Sequence, residues 1–244
     1  RVEREKGEDV GPINSFAKLL EEIEKIDGIE RIRFVSPHPK DFTDDVIDVI
    51  AKSKKICKII HLPLQSGSTN ILKKMNRKYT KEQYLELVKK IRDRIPGVVF
   101  STDIIVGFPE ETEEDFEESY EFVKKIHFYE THIFKYSRRQ GTKAAVMEGQ
   151  LTEAVKSIRS EKMIALHEIR AKEYETSMIG KTLELLLEEE VEINGKTYFM
   201  AHSKEYVRAV IEKTKDHKVN DLVRAKAVDF ADEHVLLAIC EELY

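Results

Sequence analysis

The sequence predicts a parallel α/β fold, part of a β/α barrel, over residues 1–177, followed by a small all-β barrel over residues 178–244. Three observations carry that expectation. Helical and strand-like segments alternate through the first two thirds without hairpin signals, the pattern of parallel strands joined by crossover helices. From Met178 the segments become short and β-rich. Asn194-Gly195, between two of them, is a strong hairpin signal.

The elements follow in order. Phe16, Leu19, Leu20, Ile23 and Ile26 fall at helical spacing, and Gly28 stands where that helix would stop. IRFVS (32–36) reads as a strand closed by Pro37 and Pro39. Thr43 caps a helix reaching Ala51, with acids in its first turn. KIIHLPL (58–64) is the next strand and QSGS (65–68) a turn. Helices follow over 69–75 and 80–94; Thr80 and Gln83 have capping-box spacing. VVFSTDIIVGF (98–108), a helix from Thr112 to Ile126, and THIFKYS (131–137) repeat the cycle, and a long helix spans 151–177. Four strands are too few to close a parallel barrel, so either the barrel is partial or its opening strands precede Arg1. Five short strands after Met178 fit an OB-like barrel.

Composition narrows the class. Hydrophobic residues make up 41 % and charged residues 36 %, which excludes a disordered chain. No apolar run approaches the roughly 20 residues of a bilayer span, so no membrane partner is expected. The only cysteines, Cys57 and Cys240, suit a reducing cytoplasm and cannot build a disulfide framework. The net charge of −5 does not announce a nucleic-acid binder. The small barrel holds the whole deficit, with nine basic against fourteen acidic residues.

Polar residues gather just past the predicted strand ends: Ser36 and His38; His61, Gln65 and Ser66; Thr102 and Asp103; Tyr136, Ser137 and Arg138. Parallel α/β folds bind ligands there, because loops and helix N-termini converge at the carboxyl ends of the strands. Any one of these groups could merely cap a helix; four in succession point to a ligand pocket. Gly107 suits either a close backbone approach to a ligand or a turn that needs positive φ. Asp103, inside a strand, calls for a donor partner. His38 and His61 have no carboxylate or thiol at ligand spacing, so they read as packed histidines and no metal site is expected. The acidic run from Glu110 to Glu121 reads as a solvated helix face, and Met75 and Met163 as core.

HLPLQSGS (61–68), KKMNRKYT (73–80), STDIIVGFPEETEEDF (101–116) and YSRRQGT (136–142) together resemble the methylthiotransferase family of radical S-adenosylmethionine enzymes. The agreement runs from about Asn14 to near the end of the chain. The final small barrel is similar to the TRAM domain with which those enzymes hold RNA. FYETHIFKYSRRQGTKAA (128–145) looks most like the MtaB branch, which methylthiolates carbon 2 of threonylcarbamoyl-adenosine beside the tRNA anticodon. SPHPKDF (36–42) is closer to the MiaB branch, which acts on isopentenyl-adenosine. The MtaB branch is the expectation and MiaB the alternative; a non-catalytic RNA-binding module is the other.

The resemblance implies S-adenosylmethionine, two 4Fe–4S clusters, an electron donor to reduce them, and the tRNA anticodon stem-loop as partner. Two cysteines cannot replace the six that hold those clusters in the family, so neither cluster is ligated by this chain and it is expected to be inactive alone. Carried over by motif, Gln65 and Ser66 would lie along the S-adenosylmethionine site. Thr102 and Asp103 would face its ribose or amino-acid part, and Val106, Gly107, Phe134 and Tyr136 its adenine. Arg138 would meet a carboxylate or phosphate, and Ser36 and His38 would line the rim. Lys196, Lys204, Arg208 and Lys213, beside Tyr198, Phe199 and Tyr206, would form the RNA-binding stripe.

Overall fold

The structure, a computed structural model, describes residues 15–35, 37–39 and 42–241. Helix α1 (Phe16–Glu24) opens at Ser15, whose hydroxyl accepts the Lys18 amide at 3.2 Å, and buries Ala17 and Leu20. Helix α2 (Asp44–Lys52) follows Thr43 and buries Val46, Ile47 and Ile50. Between them, among the described residues of the expected strand at 32–36, no strand forms over 32–35. Ile32 makes a single parallel bridge with Ile56. Beyond it Phe34 leaves the ladder to set its ring against Phe16, with centroids 5.0 Å apart, so ring packing displaces strand pairing.

Strand β1 (Ile59–His61) has three residues, fewer than the apolar run suggested, because Pro63 has no amide to donate. The remaining elements are α3 (Thr69–Lys74), α4 (Lys81–Arg94), β2 (Val99–Val106), α5 (Glu113–Ile126), β3 (Glu130–Lys135) and α6 (Glu153–Thr176). Both α4 and α5 open with complete capping boxes, Thr80 with Gln83 and Thr112 with Asp115. The sheet has the order β1-β2-β3, all parallel. One face of β2 presents Phe100, Ile104 and Val106 to a core shared with Tyr84, Val88 and Ile91 of α4 and with Phe116, Phe122 and Ile126 of α5. Alternation along the strand turns Ser101, Asp103 and Ile105 to the opposite face. That face carries the site.

Strands β4 (Thr182–Ile193), β5 (Lys196–His202), β6 (Arg208–Glu212), β7 (Leu222–Asp232) and β8 (Val235–Cys240) close a barrel in the order β4-β5-β6-β8-β7. Its pairings are mixed, β6 with β8 parallel and the others antiparallel. Asn194 and Gly195, at φ 51° and 75°, make the hairpin between β4 and β5. Leu185, Leu187, Phe199 and Leu236 fill the barrel against Ala201, Ala209, Ala225, Ala227 and Ala238.

The barrel core continues into Ile59 and Val99 of the parallel sheet and Tyr129 just before β3. Arg31 fastens the two, donating to the carbonyls of His202 at 2.8 Å and Glu184 at 2.6 Å. At the far end His234 meets α6, with Nδ1 at 2.9 Å from Glu175 and Nε2 at 2.6 Å from Glu168. Desolvation alone would lower the pKa of this imidazole; its hydrogen bonds to the two glutamates outweigh that and raise it. A raised histidine pKa adds stability that is full below about pH 6.5 and is lost as pH rises through the higher folded value. This contribution to the melting temperature is therefore expected to fall as pH rises from about 6.5 through the raised folded value, and His234→Gln to flatten that slope in thermal scans. Among the described residues no helix is long and apolar enough to cross a membrane.

Candidate functional site

The carboxyl ends of β1, β2 and β3 open into one cavity of about 920 Å³, lined among others by Gln65, Met75, Asp103, Ile105, Phe134 and Tyr136. That volume suits a drug-sized ligand. Its floor follows from register: Ile105 pairs with Phe134 and Asp103 with His132, and paired residues of parallel strands project to the same face. Phe134 is 52 % exposed, a large aromatic left uncovered beside Ile105. An uncovered ring in a concave site is a platform for a planar ligand.

Gln65 enters from the chain after Pro63. It sits at φ 72°, a conformation that residues with a Cβ rarely adopt. Two ladder bonds hold it there: its amide donates to the Asp103 carbonyl at 2.8 Å, and its own carbonyl accepts the Ile105 amide at 2.9 Å. Buried tyrosines fix the loop behind it. Tyr84 donates to the Leu62 carbonyl at 2.7 Å and Tyr79 to the Leu64 carbonyl at 3.0 Å. Burial pushes the Tyr79 phenol up to about 12, so it stays a donor throughout the physiological range. Tyr136 lines the opposite wall, and its buried hydroxyl has no hydrogen-bond partner among the described residues. A buried polar atom left so is costly unless something else meets it.

Several expected site residues stand elsewhere. Ser66 is fully buried, its hydroxyl accepting the Ser68 amide at the start of α3. Thr102 faces the core, donating to the Leu62 carbonyl at 2.8 Å and accepting the Leu64 amide at 2.9 Å. It shapes the loop that presents Gln65 and does not line the cavity. Val106 belongs to the core beneath the sheet. Gly107, at φ 74°, donates to Glu111 Oε2 at 2.6 Å, and a Cβ there would lie 2.4 Å from Lys156 Cγ, so it serves a tight turn. His38 packs edge-on against Tyr79, behind the loop. Arg138 borders a separate depression with Glu153 and Lys156, whereas its neighbour Arg139 reaches the cavity. Ser36 lies outside the described residues.

The acidic run is only partly a solvated face. Glu111 and Asp115 are buried. Burial alone would raise the Asp115 carboxyl, but hydrogen bonds from Ser68, Asn70 and Thr112 hold it below the usual value. Met163 is core as expected, whereas Met75 lines the cavity. His61 is buried and hydrogen-bonded to Ser101 Oγ at 3.0 Å. Sequence reasoning missed His132, which stands beside Asp103 only because β2 and β3 pair in this register.

On the small barrel the stripe divides. Lys196 and Lys213 border one shallow groove with Lys215 and His217. Arg208, exposed at the other end of β6, pairs with His202. Lys204 turns to the junction, 3.1 Å from Glu184. Phe199 is buried in the barrel and unavailable for stacking. Tyr206 is covered on one face by the Arg33 guanidinium at 3.3 Å and on the other by the His202 ring at 4.3 Å.

Residues 11–123 match the family model of the Radical SAM superfamily. Two similar curated relatives share the name tRNA-2-methylthio-N(6)-dimethylallyladenosine synthase. The one from Fusobacterium nucleatum subsp. nucleatum is 54 % identical over 183 residues, covering 75 % of this chain and 42 % of the relative. The one from Acetivibrio thermocellus is 47 % identical over 192 residues, covering 79 % and 40 %. The chain thus spans about two fifths of the length of these relatives. A solved structure of coproporphyrinogen III oxidase (HemN) from Escherichia coli overlaps 70 % of this chain and 46 % of its own, at 14 % identity and a TM-score of 0.48. These relatives are named for the dimethylallyl nucleoside and give no support to the expected threonylcarbamoyl (MtaB) branch.

Proposed function

We propose that this chain is the S-adenosylmethionine-holding and RNA-facing part of a radical SAM tRNA methylthiotransferase that adds a methylthio group to carbon 2 of N6-dimethylallyl-adenosine, the isopentenyl nucleoside of the MiaB type. One observation carries the reading: the ends of β1, β2 and β3 converge on a single cavity, in the stretch whose sequence matches the radical SAM family.

S-adenosylmethionine fits the residues present. Phe134 and Ile105 offer an apolar floor for its adenine, and Asp103 an acceptor for a ribose hydroxyl. The unpartnered Tyr136 hydroxyl and the Gln65 amide can meet the amino-acid part. Lys74, Arg77, Lys135, Arg139 and Lys143 surround the mouth, where cations attract a carboxylate or RNA phosphates. When bound, this cofactor supplies the radical and the methyl group; the chain's own part is to orient it and exclude water.

The iron–sulfur clusters do not fit this chain. Cys57 is buried in the core and Cys240 lies on β8, beside His217, so no set of thiolates exists to hold one. The tRNA anticodon stem-loop and an electron donor are the partners of the proposed reaction. In this reading the small barrel is a TRAM domain, whose groove at Lys196 and Lys213 contacts RNA.

Two experiments test the reading. Deleting the gene is expected to abolish 2-methylthio-N6-dimethylallyl-adenosine in tRNA and to accumulate the nucleoside without its methylthio group. Loss of the threonylcarbamoyl product instead would overturn the substrate. Asp103→Ala is expected to weaken S-adenosylmethionine binding by about tenfold or more, the worth of a hydrogen bond to a charged group. Unchanged affinity in calorimetry would remove Asp103 from the site.

A further inference from the structure

Beside the cavity floor three strands bring Asp103 together with two histidines that the proposed reaction does not use. The registers His61 with Ser101 and Asp103 with His132 place two imidazoles around one carboxylate. His61 Nε2 is 3.4 Å from Asp103 Oδ2, and His132 Nδ1 is 3.2 Å from Asp103 Oδ1. One ligand atom from each of the three residues lies within 4.8 Å of the other two. Metal–nitrogen and metal–oxygen bonds of about 2.0–2.1 Å place neighbouring ligands of a tetrahedral ion about 3.3 Å apart; each imidazole stands at about that distance from one oxygen of Asp103, His61 from Oδ2 and His132 from Oδ1.

The outward nitrogens point the same way. Metal-bound histidines usually bond their second ring nitrogen to a carboxylate, carbonyl or hydroxyl, which fixes tautomer and ring plane. His61 Nδ1 meets this at 3.0 Å from Ser101 Oγ; His132 Nε2 lies 3.8 Å from Glu130 Oε2, an ion-pair separation longer than a hydrogen bond. Both inner nitrogens are thereby left to face Asp103. His61 is buried, whereas His132 is half exposed, so an ion can reach the three groups from the open face of the sheet.

We propose that His61 Nε2, Asp103 and His132 Nδ1 form a site for one divalent transition metal of borderline softness, with a remaining coordination position open to the cavity. Two imidazoles and a carboxylate suit zinc or a neighbouring ion and disfavour magnesium and calcium, which take oxygen ligands. The site rests on its own geometry and does not require S-adenosylmethionine. It shares Asp103 with it, so an ion bound there takes that carboxylate from any ribose hydroxyl.

Zinc titrated calorimetrically into the metal-free 244-residue chain is the test, with cobalt absorption reporting coordination geometry. The expected result is one zinc per chain at micromolar or tighter affinity, with cobalt giving the intense visible bands of a tetrahedral site. Asp103→Asn and His132→Gln abolish it. Ser101→Ala weakens it by about 10–100-fold, as a lost supporting hydrogen bond to a ligating histidine does. His234→Gln and Cys240→Ser control for the other donors, Glu168 and Glu233 beside His234 and the thiol beside His217, and leave it intact. Circular dichroism confirms folding, which the half-exposed His132 makes secure for its variant. Absence of micromolar binding, or binding that survives the triad variants or vanishes with either control, overturns the site.

Discussion

Gly67→Ala is expected to destabilise the protein by about 3 kcal/mol, at the upper end of the usual cost of overpacking. A methyl group there would stand 2.7 Å from Ser119 Cα, 2.8 Å from Ser119 O and 2.8 Å from Phe122 Cβ. Two of those atoms are backbone of α5, so no rotamer change can relieve the clash. The Gly67 amide also donates to Ser119 Oγ at 2.7 Å, and separating loop from helix would break that bond. The loop cannot move alone. Gln65, two residues earlier, is tied to β2, and Ser68, one residue later, donates to buried Asp115 at 2.7 Å. Strain at Gly67 is thus transmitted to the cavity wall. Urea unfolding should show the loss of stability, and S-adenosylmethionine affinity should fall with it even though Gly67 does not line the cavity. An unchanged unfolding midpoint would mean that α5 retreats from the loop at little cost.

Arg159→Met is expected to cost about 3–5 kcal/mol, the penalty for stranding one member of a buried ion pair. The Arg159 and Glu111 side chains are 6 % and 1 % exposed. Arg159 Nη1 donates to Glu111 Oε2 at 2.7 Å and to the Glu111 carbonyl at 3.1 Å, while Nη2 reaches Glu113 at 3.0 Å. The same carboxylate accepts the Gly107 amide and so closes the turn after β2. Burial already raises the Glu111 carboxyl above its usual pKa; the Gly107 hydrogen bond and Arg159 oppose that rise. Without Arg159 the carboxyl rises further. A carboxyl whose folded pKa is raised favours the folded state more as pH falls, so the deficit of the variant should shrink toward acid and grow as pH climbs through the folded value. Adding Glu111→Gln should recover part of the loss at neutral pH, because no charge is then left unpaired. A neutral-pH deficit that does not change with the second substitution would show that Arg159 acts through its packing on Phe116 alone.

What could be read from the sequence divides along physical lines. Helices α4 and α5 were legible because Thr80 with Gln83 and Thr112 with its first-turn acids write their N-termini locally. The small barrel was legible as five β-rich segments and one Asn-Gly turn, although its parallel β6–β8 pairing has no local signature. The strand expected at 32–36 failed because apolar alternation does not reveal whether a ring or a backbone ladder will take Phe34. At the site, the grouping of polar residues at strand ends located the cavity, yet it could not say which neighbour faces it. Asp103 lines it and Thr102 does not; Arg139 lines it and Arg138 does not. For Asp103 and Thr102 that choice is set by strand phase, which flips every side chain with a shift of one residue; Arg138 and Arg139 lie past the end of β3, where the course of the loop decides. Glu111 and Asp115 looked like surface acids because their partners, Arg159 and Ser68, lie 48 and 47 residues away. His132 escaped notice for the same reason.

The measurement that bears most directly on the proposed role of the cavity is backbone amide chemical-shift mapping of the 244-residue chain titrated with S-adenosylmethionine. The perturbed amides should cluster at Gln65, Asp103, Ile105, Phe134 and Tyr136 and spare the small barrel. Saturable shifts that fall only on another surface, or no shifts at millimolar ligand, would contradict the account.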